Sequence, residues 1–452
     1  MPPTTATRPA TDAAGTTPVT LTGWGGGPGT PASLVTASGV DGLREALAAV
    51  GPLGAIARGM GRSYGDAAQR DGGLVLDLTR MTGWELDAEL GEVTAQAGIT
   101  LGALLGMLVP RGWMLPVLPG TQHVTVGGAI ASDIHGKSHG VDGTFGSHVR
   151  SLELMTADGE LHALEPGSDL FAATLGGMGL TGVIVSARIG LAPAASGIVS
   201  VDTDRVDSLD EVLALLAAPG GRYRVAWLDL LGPRPGRGVV TRAEPAIEGP
   251  LSGAVVRSRA TIPARWPAGA LRPSTVRAFN ELRFRSAPRR ARGVPEKLGT
   301  HMFPLDALER WPRLYGPAGF VQYQFVVPPG AESVLERALE RLRAARVPCY
   351  LAVLKDFGAA NDAPLSFPAQ GWTLALDLPR SAPLLSSALD DLDELVAGAG
   401  GRIYLTKDAR TRPDALAAMY PRLREWRAVR DTADPDGRWR SDLALRTGLV
   451  AR

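Results

Sequence analysis

Between Gly120 and Gly146 the chain reads Gly-Thr-Gln-His-Val-Thr-Val-Gly-Gly-Ala-Ile-Ala-Ser-Asp-Ile-His-Gly-Lys-Ser-His-Gly-Val-Asp-Gly-Thr-Phe-Gly, with seven glycines and only short apolar runs. A stretch like this cannot be an ordinary core helix or strand. Glycines this dense let backbone approach backbone, or backbone approach a ligand. Free N–H groups at such loops and at a following helix start suit an anion, above all a pyrophosphate. A flexible linker is the bland alternative, but linkers rarely carry Val-Thr-Val-Gly-Gly-Ala-Ile-Ala, which packs on one side and exposes the other.

Two further glycine-rich turns point the same way. Ala55-Ile56-Ala57 reads as a short buried strand running into Arg58-Gly59-Met60-Gly61-Arg62-Ser63-Tyr64-Gly65-Asp66. Leu175 to Gly182 feeds a β-branched run at Val183-Ile184. Gly177, Gly179 and Gly182 spell Gly-x-Gly-x-x-Gly, but they precede a strand where a Rossmann fingerprint needs a helix, so that reading is rejected. Three such turns in one region predict a single extended cofactor cleft.

Composition sets limits. At 452 residues two domains are expected. A net charge of +1 argues against nucleic acid as partner. The single Cys349 excludes an intrachain disulfide framework, and the six histidines show no metal-ligand spacing. No apolar run reaches a membrane span, and residues 1–20 read as a disordered tail without a signal peptide. The expected location is cytoplasmic or peripheral at the cell membrane, with a periplasmic placement left open.

Helices are predicted at Ser38–Val50, Leu101–Leu108 after a Thr100 cap, Ser208–Leu216, Ala331–Arg343 and Leu385–Gly398. Strands are predicted at Leu74–Leu78, Glu92–Ala97, Ser151–Thr156, Leu161–Leu164, Tyr223–Leu230, Gly319–Val327, Tyr350–Leu354 and Trp372–Leu378. On the Gly319–Val327 strand, Gln322 and Gln324 share one face. The texture changes after Pro193. Residues 257–292 hold ten arginines and one acid, Glu281, and read either as a solvated, partly disordered loop or as a basic lip for a phosphate-bearing substrate or an anionic membrane.

The runs Arg58–Asp66, Pro119-Gly120-Thr121, Val124–Ile130 and Asp133-Ile134-His135-Gly136-Lys137 resemble the flavin domain of the vanillyl-alcohol-oxidase superfamily. Tyr315–Phe320, Gln322–Phe325, Ala363–Pro368, Lys407-Asp408-Ala409-Arg410 and Met419–Arg422 narrow the resemblance to the decaprenylphosphoryl-β-D-ribose 2-oxidase family, the flavin subunit of the actinobacterial ribose-to-arabinose epimerase of cell-wall arabinan synthesis. It covers the chain from about residue 20 onward.

The resemblance implies an α+β, two-domain PCMH-type FAD-binding fold with an inserted antiparallel-sheet substrate domain. The expected division is 21–195 for FAD, 196–400 for substrate, and 401–452 returning to the FAD domain. It implies FAD contacts from Arg58, Gly59, Met60, Gly61, Arg62, Ser63, Tyr64, Gly65 and Asp66, from Gly120, Thr125, Val126, Gly127 and Gly128, and from Ser132, Asp133, Ile134, His135, Ile184 and Tyr404. Arg62 stands where some superfamily members tether flavin through histidine, so the FAD is expected to be non-covalent. Substrate contacts are implied for Tyr64, Lys137, Gln322, Gln324, Lys355, Thr373, Ala375 and Lys407. Lys407 and His135 are the catalytic candidates. Ala375 stands where the family has a pocket cysteine, and Thr373 where asparagine is usual.

The implied reaction oxidises the C2 hydroxyl of a polyprenyl-phosphoryl ribose, with an NAD(P)H-dependent keto-reductase as partner subunit. A soluble sugar or alditol is the alternative substrate. Lys407 as an ammonium stabilises developing charge; as a neutral amine it takes the hydroxyl proton. The sequence leaves both open, as it does a salt bridge from Lys407 to Asp408.

Overall fold

In the computed structural model, residues 15–232, 234, 236–264, 266 and 271–450 are described. The chain is α+β, and its sheets are mainly antiparallel. Strands Thr17–Leu21, Thr30–Thr36, Leu74–Asp77 and Ala55–Arg58 lie side by side in that order. The last three are mutually parallel, and this makes the sheet mixed. A second, antiparallel sheet orders Trp84–Asp87, Glu92–Gln96, Val183–Gly190, Val149–Met155 and Leu161–Leu164. Val183–Gly190 is a strand, so the glycine run before it opens no dinucleotide-binding helix.

Two parts of the Gly120–Gly146 stretch are helical after all, Val126–Ala131 and the single turn His139–Asp142. Val126–Ala131 forms a short helix whose N-cap Thr125 accepts from the Gly128 N–H. Val126, Ala129 and Ile130 are buried, so the helix wedges into the core and leaves its N-terminal turn and flanking loops free for a ligand.

An eight-stranded sheet forms the other half of the molecule, with order Arg290–Lys297, Ile198–Val206, Arg237–Pro245, Tyr223–Asp229, Leu351–Phe357, Gly371–Pro379, Phe320–Val327 and Arg402–Ile403. Every pairing in it is antiparallel. Helices Leu209–Ala217, Ser333–Ala344 and Leu385–Gly398 bury leucine and valine faces in the core beside it. After Ile403 the chain leaves this sheet and meets the first half again. Trp426 donates to the Ala173 carbonyl at 2.9 Å, and Arg440 N–H donates to the Ala55 carbonyl at 2.9 Å.

Two expectations are corrected here. Of the predicted tail 1–20, residues 1–14 lie outside the described residues, and Thr17–Leu21 is a paired strand. The arginine-rich segment 257–292 is not a loop throughout, although Arg265 and residues 267–270 lie outside the described residues. Pro273–Ser286 is a helix, and Arg290 opens an edge strand. Anchors from elsewhere in the chain hold that helix. Asn280 donates to Asp229 at 2.8 Å, and Arg237 bridges Asp229 and Glu281 at 2.7 and 2.6 Å.

Candidate active site

The turn after strand Ala55–Arg58 and the segment 404–408 are built against each other. Tyr64 N–H donates to the Thr406 carbonyl at 2.9 Å. Gly65 lies so close to the Asp408 carbonyl that any Cβ would collide with it. Arg446 forks between Asp66 at 2.7 and 2.9 Å and Asp408 at 2.9 Å. This clamp brings Lys407 into the site, with its Nζ 3.6 Å from the centre of the Tyr64 ring. Asp408 is spent on Arg446 and on the backbone N–H groups of Arg410 and Thr411, so it forms no salt bridge with Lys407.

The opposite wall is the loop after the Val126–Ala131 helix. Asp133 adopts a φ of 37°, and its carboxylate accepts from Gly146 N–H at 2.9 Å, Asn361 at 2.6 Å and Ser366 at 2.5 Å. The tie fixes the loop carrying Phe367, whose ring centre is 5.4 Å from that of His135. Phe357 and Tyr404 flank the same imidazole at 4.8 and 4.9 Å.

The third wall is the eight-stranded sheet. The Gln324 amide donates to His135 Nε2 at 2.9 Å and to Thr373 Oγ1 at 3.1 Å. With Nε2 accepting, the imidazole proton sits on Nδ1, which has no partner among the described residues. Gln322 donates to Asp377 at 2.5 Å, and Tyr315 Oη donates to the same carboxylate at 3.4 Å. Asp377 was missed as a site residue, yet the signal was in the strand. It alternates with Thr373 and Ala375 and so shares their face.

These walls enclose one cavity of about 1280 Å³. It gathers Arg58 through Tyr64, Gly120, Thr125, Gly127, Gly128, Ser132, Ile134, His135, Lys137, Ile184, Gln322, Gln324, Lys355, Ala375, Tyr404 and Lys407. Gly65, Asp66, Val126, Asp133 and Thr373 do not reach it. They were expected to touch cofactor or substrate; instead Gly65, Asp66 and Asp133 tie loops, Val126 is core, and Thr373 holds Gln324. Trp24, Trp227 and Glu296 line the cavity without having been expected there.

A family of FAD binding domains matches residues 31–165. The decaprenylphosphoryl-β-D-ribose oxidase of Mycolicibacterium smegmatis is 40% identical over 96% of this chain and 98% of its own length. The chain belongs to the decaprenylphosphoryl-β-D-ribose oxidase family. An uncharacterised protein of Streptomyces coelicolor is 40% identical over 78% of this chain and all of its own length. An alditol oxidase of a Streptomyces species is 29% identical over only 31% of this chain and 34% of its own.

As a member of this family the protein is an FAD-dependent oxidoreductase, and its cavity fits that cofactor. The volume exceeds what a single small ligand usually needs. Gly59 packs against Thr125 so that a Cβ would fill the cradle. Two buried donors, Arg62 Nε and His135 Nδ1, have no partner among the described residues and line the cavity. The guanidinium of Arg62 also stacks 3.7 Å over Trp24.

Three of the lysines that line the cavity are shifted by enclosure. Enclosure pulls Lys407 and Lys137 down to about 7 and Lys355 to about 8. Asp377 opposes the shift at Lys407, and its own carboxyl is pushed up to about 6 by burial. Lys137 donates to the His301 carbonyl. Burial, with Lys355 nearby, also holds His135 well below the ordinary histidine value, so it is neutral at pH 7. Among the described residues no salt bridge neutralises any of the three lysines, which suits an anionic ligand.

Proposed function

We propose that the protein oxidises the C2 hydroxyl of a polyprenyl-phosphoryl ribose to the 2-keto sugar. The observation that carries this reading is the convergence of Lys407, Gln322, Gln324 and His135 on one cavity, opposite the glycine-built cradle. Arg58 through Tyr64 with Thr125, Gly127 and Gly128 would hold the FAD, which when bound would supply the acceptor for the hydride from C2. Arg62 offers no histidine tether, so the FAD is held without a covalent bond.

Lys407 acts as the base for the hydroxyl proton. A lysine held near 7 is partly neutral at working pH, and a base is most effective with its pKa there. Gln322 and Gln324 orient the sugar, with Asp377 and Thr373 fixing their amides from behind. His135 offers its Nδ1 proton to an acceptor on the flavin or the sugar. Lys137 and Lys355 compensate the substrate phosphate. Thr373 lies behind the wall, so its difference from the family pattern changes no surface that the sugar meets.

A keto sugar must be reduced to complete an epimerisation, and an NAD(P)H-dependent keto-reductase is the partner this requires. A domain division near 195, with a return to the first half after Ile403, goes with the reading, supported by the clamp that brings residues 404–408 to the cradle. Among the described residues no helix is long and apolar enough to cross a membrane. Contact with the membrane that carries the lipid substrate is read as peripheral.

Anaerobic mixing of the holoenzyme with farnesylphosphoryl-β-D-ribose, free ribose and an alditol tests the function. Bleaching of the flavin by the first alone is expected. Bleaching by the alditol and not by the phosphoryl ribose would overturn it.

A further inference from the structure

Across five adjacent strands of the large sheet, Gln324, Ala375, Val353, Trp227 and Val239 stand opposite one another in register. Opposed residues on neighbouring strands share a sheet face. All five line the cavity. With strands ~4.8 Å apart, the row spans ~19 Å.

Its chemistry changes along that length. Gln324 ends the row at His135. The next four side chains are apolar and offer a sugar little to hydrogen-bond except the Trp227 indole. Helix Pro273–Ser286 roofs the far end, where Phe284 packs on Trp227 and Val239. Phe279 and Arg283 of that helix line the cavity, and the Arg283 guanidinium stands 5.1 Å from the centre of a Trp227 ring. Phe279 and Leu282 remain 61% and 68% exposed, so apolar surface continues past the cavity.

We propose that this limb is a channel for the isoprenoid chain of the substrate, running from Ala375 past Val353 and Trp227 and leaving beside the Pro273–Ser286 helix. The proposal rests on the polyprenyl-phosphoryl reading of the site. A sugar and a phosphate have no use for an apolar floor of this length. A hydrocarbon chain is stabilised by it in proportion to the area it covers. Affinity therefore grows with chain length until the channel is filled, and a headgroup without a chain gains nothing from it.

The test is calorimetric titration of the FAD-loaded enzyme with inorganic phosphate and with geranyl, farnesyl and geranylgeranyl phosphate. Affinity is expected to rise by about tenfold or more from the shortest to the longest chain. Val239→Trp, which fills the channel floor, is expected to abolish that rise while leaving the inorganic phosphate affinity and the FAD content unchanged. Thr241→Phe, on the neighbouring half-buried position of the same limb, serves if Val239→Trp loses its flavin. Equal affinity for all three chains, or a rise that survives in the folded variant, overturns the channel. A chain-length rise that Val239→Trp abolishes, in an enzyme whose flavin polyprenyl-phosphoryl ribose does not bleach, supports the channel and overturns the oxidase reading instead.

Discussion

The two faces of the cavity are built in different ways. The cradle of residues 58–64 and 120–128 is made by backbone, with glycines placed where backbone must pass close. The facing wall of Gln322, Gln324, Lys355 and Ala375, with Lys407 beside it, is made by side chains, and Asp377 and Thr373 hold the two glutamine amides. A backbone cradle recognises what every cofactor of its class shares. A side-chain wall carries the charge states on which one reaction depends. Substitutions should therefore separate cofactor binding from chemistry.

The largest effect is expected at Lys407. Lys407→Ala should retain FAD and slow flavin reduction by substrate by ~100-fold or more, the usual cost of losing a general base. Asp408→Asn is the control. It weakens the Arg446 clamp and should lower the melting temperature without a comparable loss of rate. Anaerobic stopped-flow traces beside thermal melts read both, and near-parental reduction by Lys407→Ala would remove the catalytic assignment.

On the cradle side, Gly59→Ala places a methyl against Thr125, whose hydroxyl caps the Val126–Ala131 helix. Overpacking of this kind costs ~1–3 kcal/mol, so FAD affinity should fall about tenfold or more. Once saturated with FAD, the variant should reduce at a rate within a few-fold of the parent. A loss of rate equal to that of Lys407→Ala would break the division between the two faces.

The pH dependence sharpens the chemistry of the wall. With Lys407 acting as base, the reduction rate should rise about tenfold per pH unit below the lysine's pKa and level off above it; that pKa is about 7 in the cofactor-free cavity, and anionic FAD moves it upward. An essential ammonium would give the opposite slope. The same lysines govern stability. Between pH 7 and 10 the folded cofactor-free protein holds Lys407, Lys137 and Lys355 increasingly neutral while the unfolded chain keeps them protonated. The unfolded state then binds more protons, so stability should rise with pH across that window. Melts of the apoprotein check the sign, and added FAD should flatten the slope if its anionic groups restore the lysines' charge.

A smaller effect is expected from Thr373→Val, which removes the hydroxyl that holds the Gln324 amide. Loss of one such bond costs ~1 kcal/mol, so reduction should slow by about fivefold with FAD affinity unchanged.

The cradle was legible because close backbone approach allows almost no residue but glycine, and that requirement is written directly into the sequence. The tie of Asp66 and Asp408 to Arg446 was not, because the partners are 380 and 38 positions apart. Motif membership therefore located Asp66, Gly65 and Asp133 beside the cradle without saying that they tie its loops together. The Pro273–Ser286 helix was missed for a related reason. Its arginines and flanking prolines resemble a loop, and what fixes it is burial of Asn280 and Phe284 against Asp229 and Trp227. Asp377 was the one omission that strand alternation alone could have prevented.

The smallest effect expected of the wall concerns Cys349, the only thiol in the chain. Its neighbours Tyr350 and Leu351 line the cavity, yet Cys349 is buried with its Sγ donating to the Leu351 carbonyl at 3.2 Å. Burial and the nearby Asp377 push the thiol well above its ordinary value, so almost no reactive thiolate is present at neutral pH. Ala375 supplies no thiol in the cavity either. Incubation of the native holoenzyme with a thiol-directed electrophile should leave its intact mass and its reduction rate unchanged, while the unfolded chain takes up one adduct. An adduct on Cys349 under native conditions would mean that the strand opens on the time scale of labelling. The side-chain wall would then be the mobile face of the cavity, and the contrast with a rigid cradle would rest on dynamics as well as on composition.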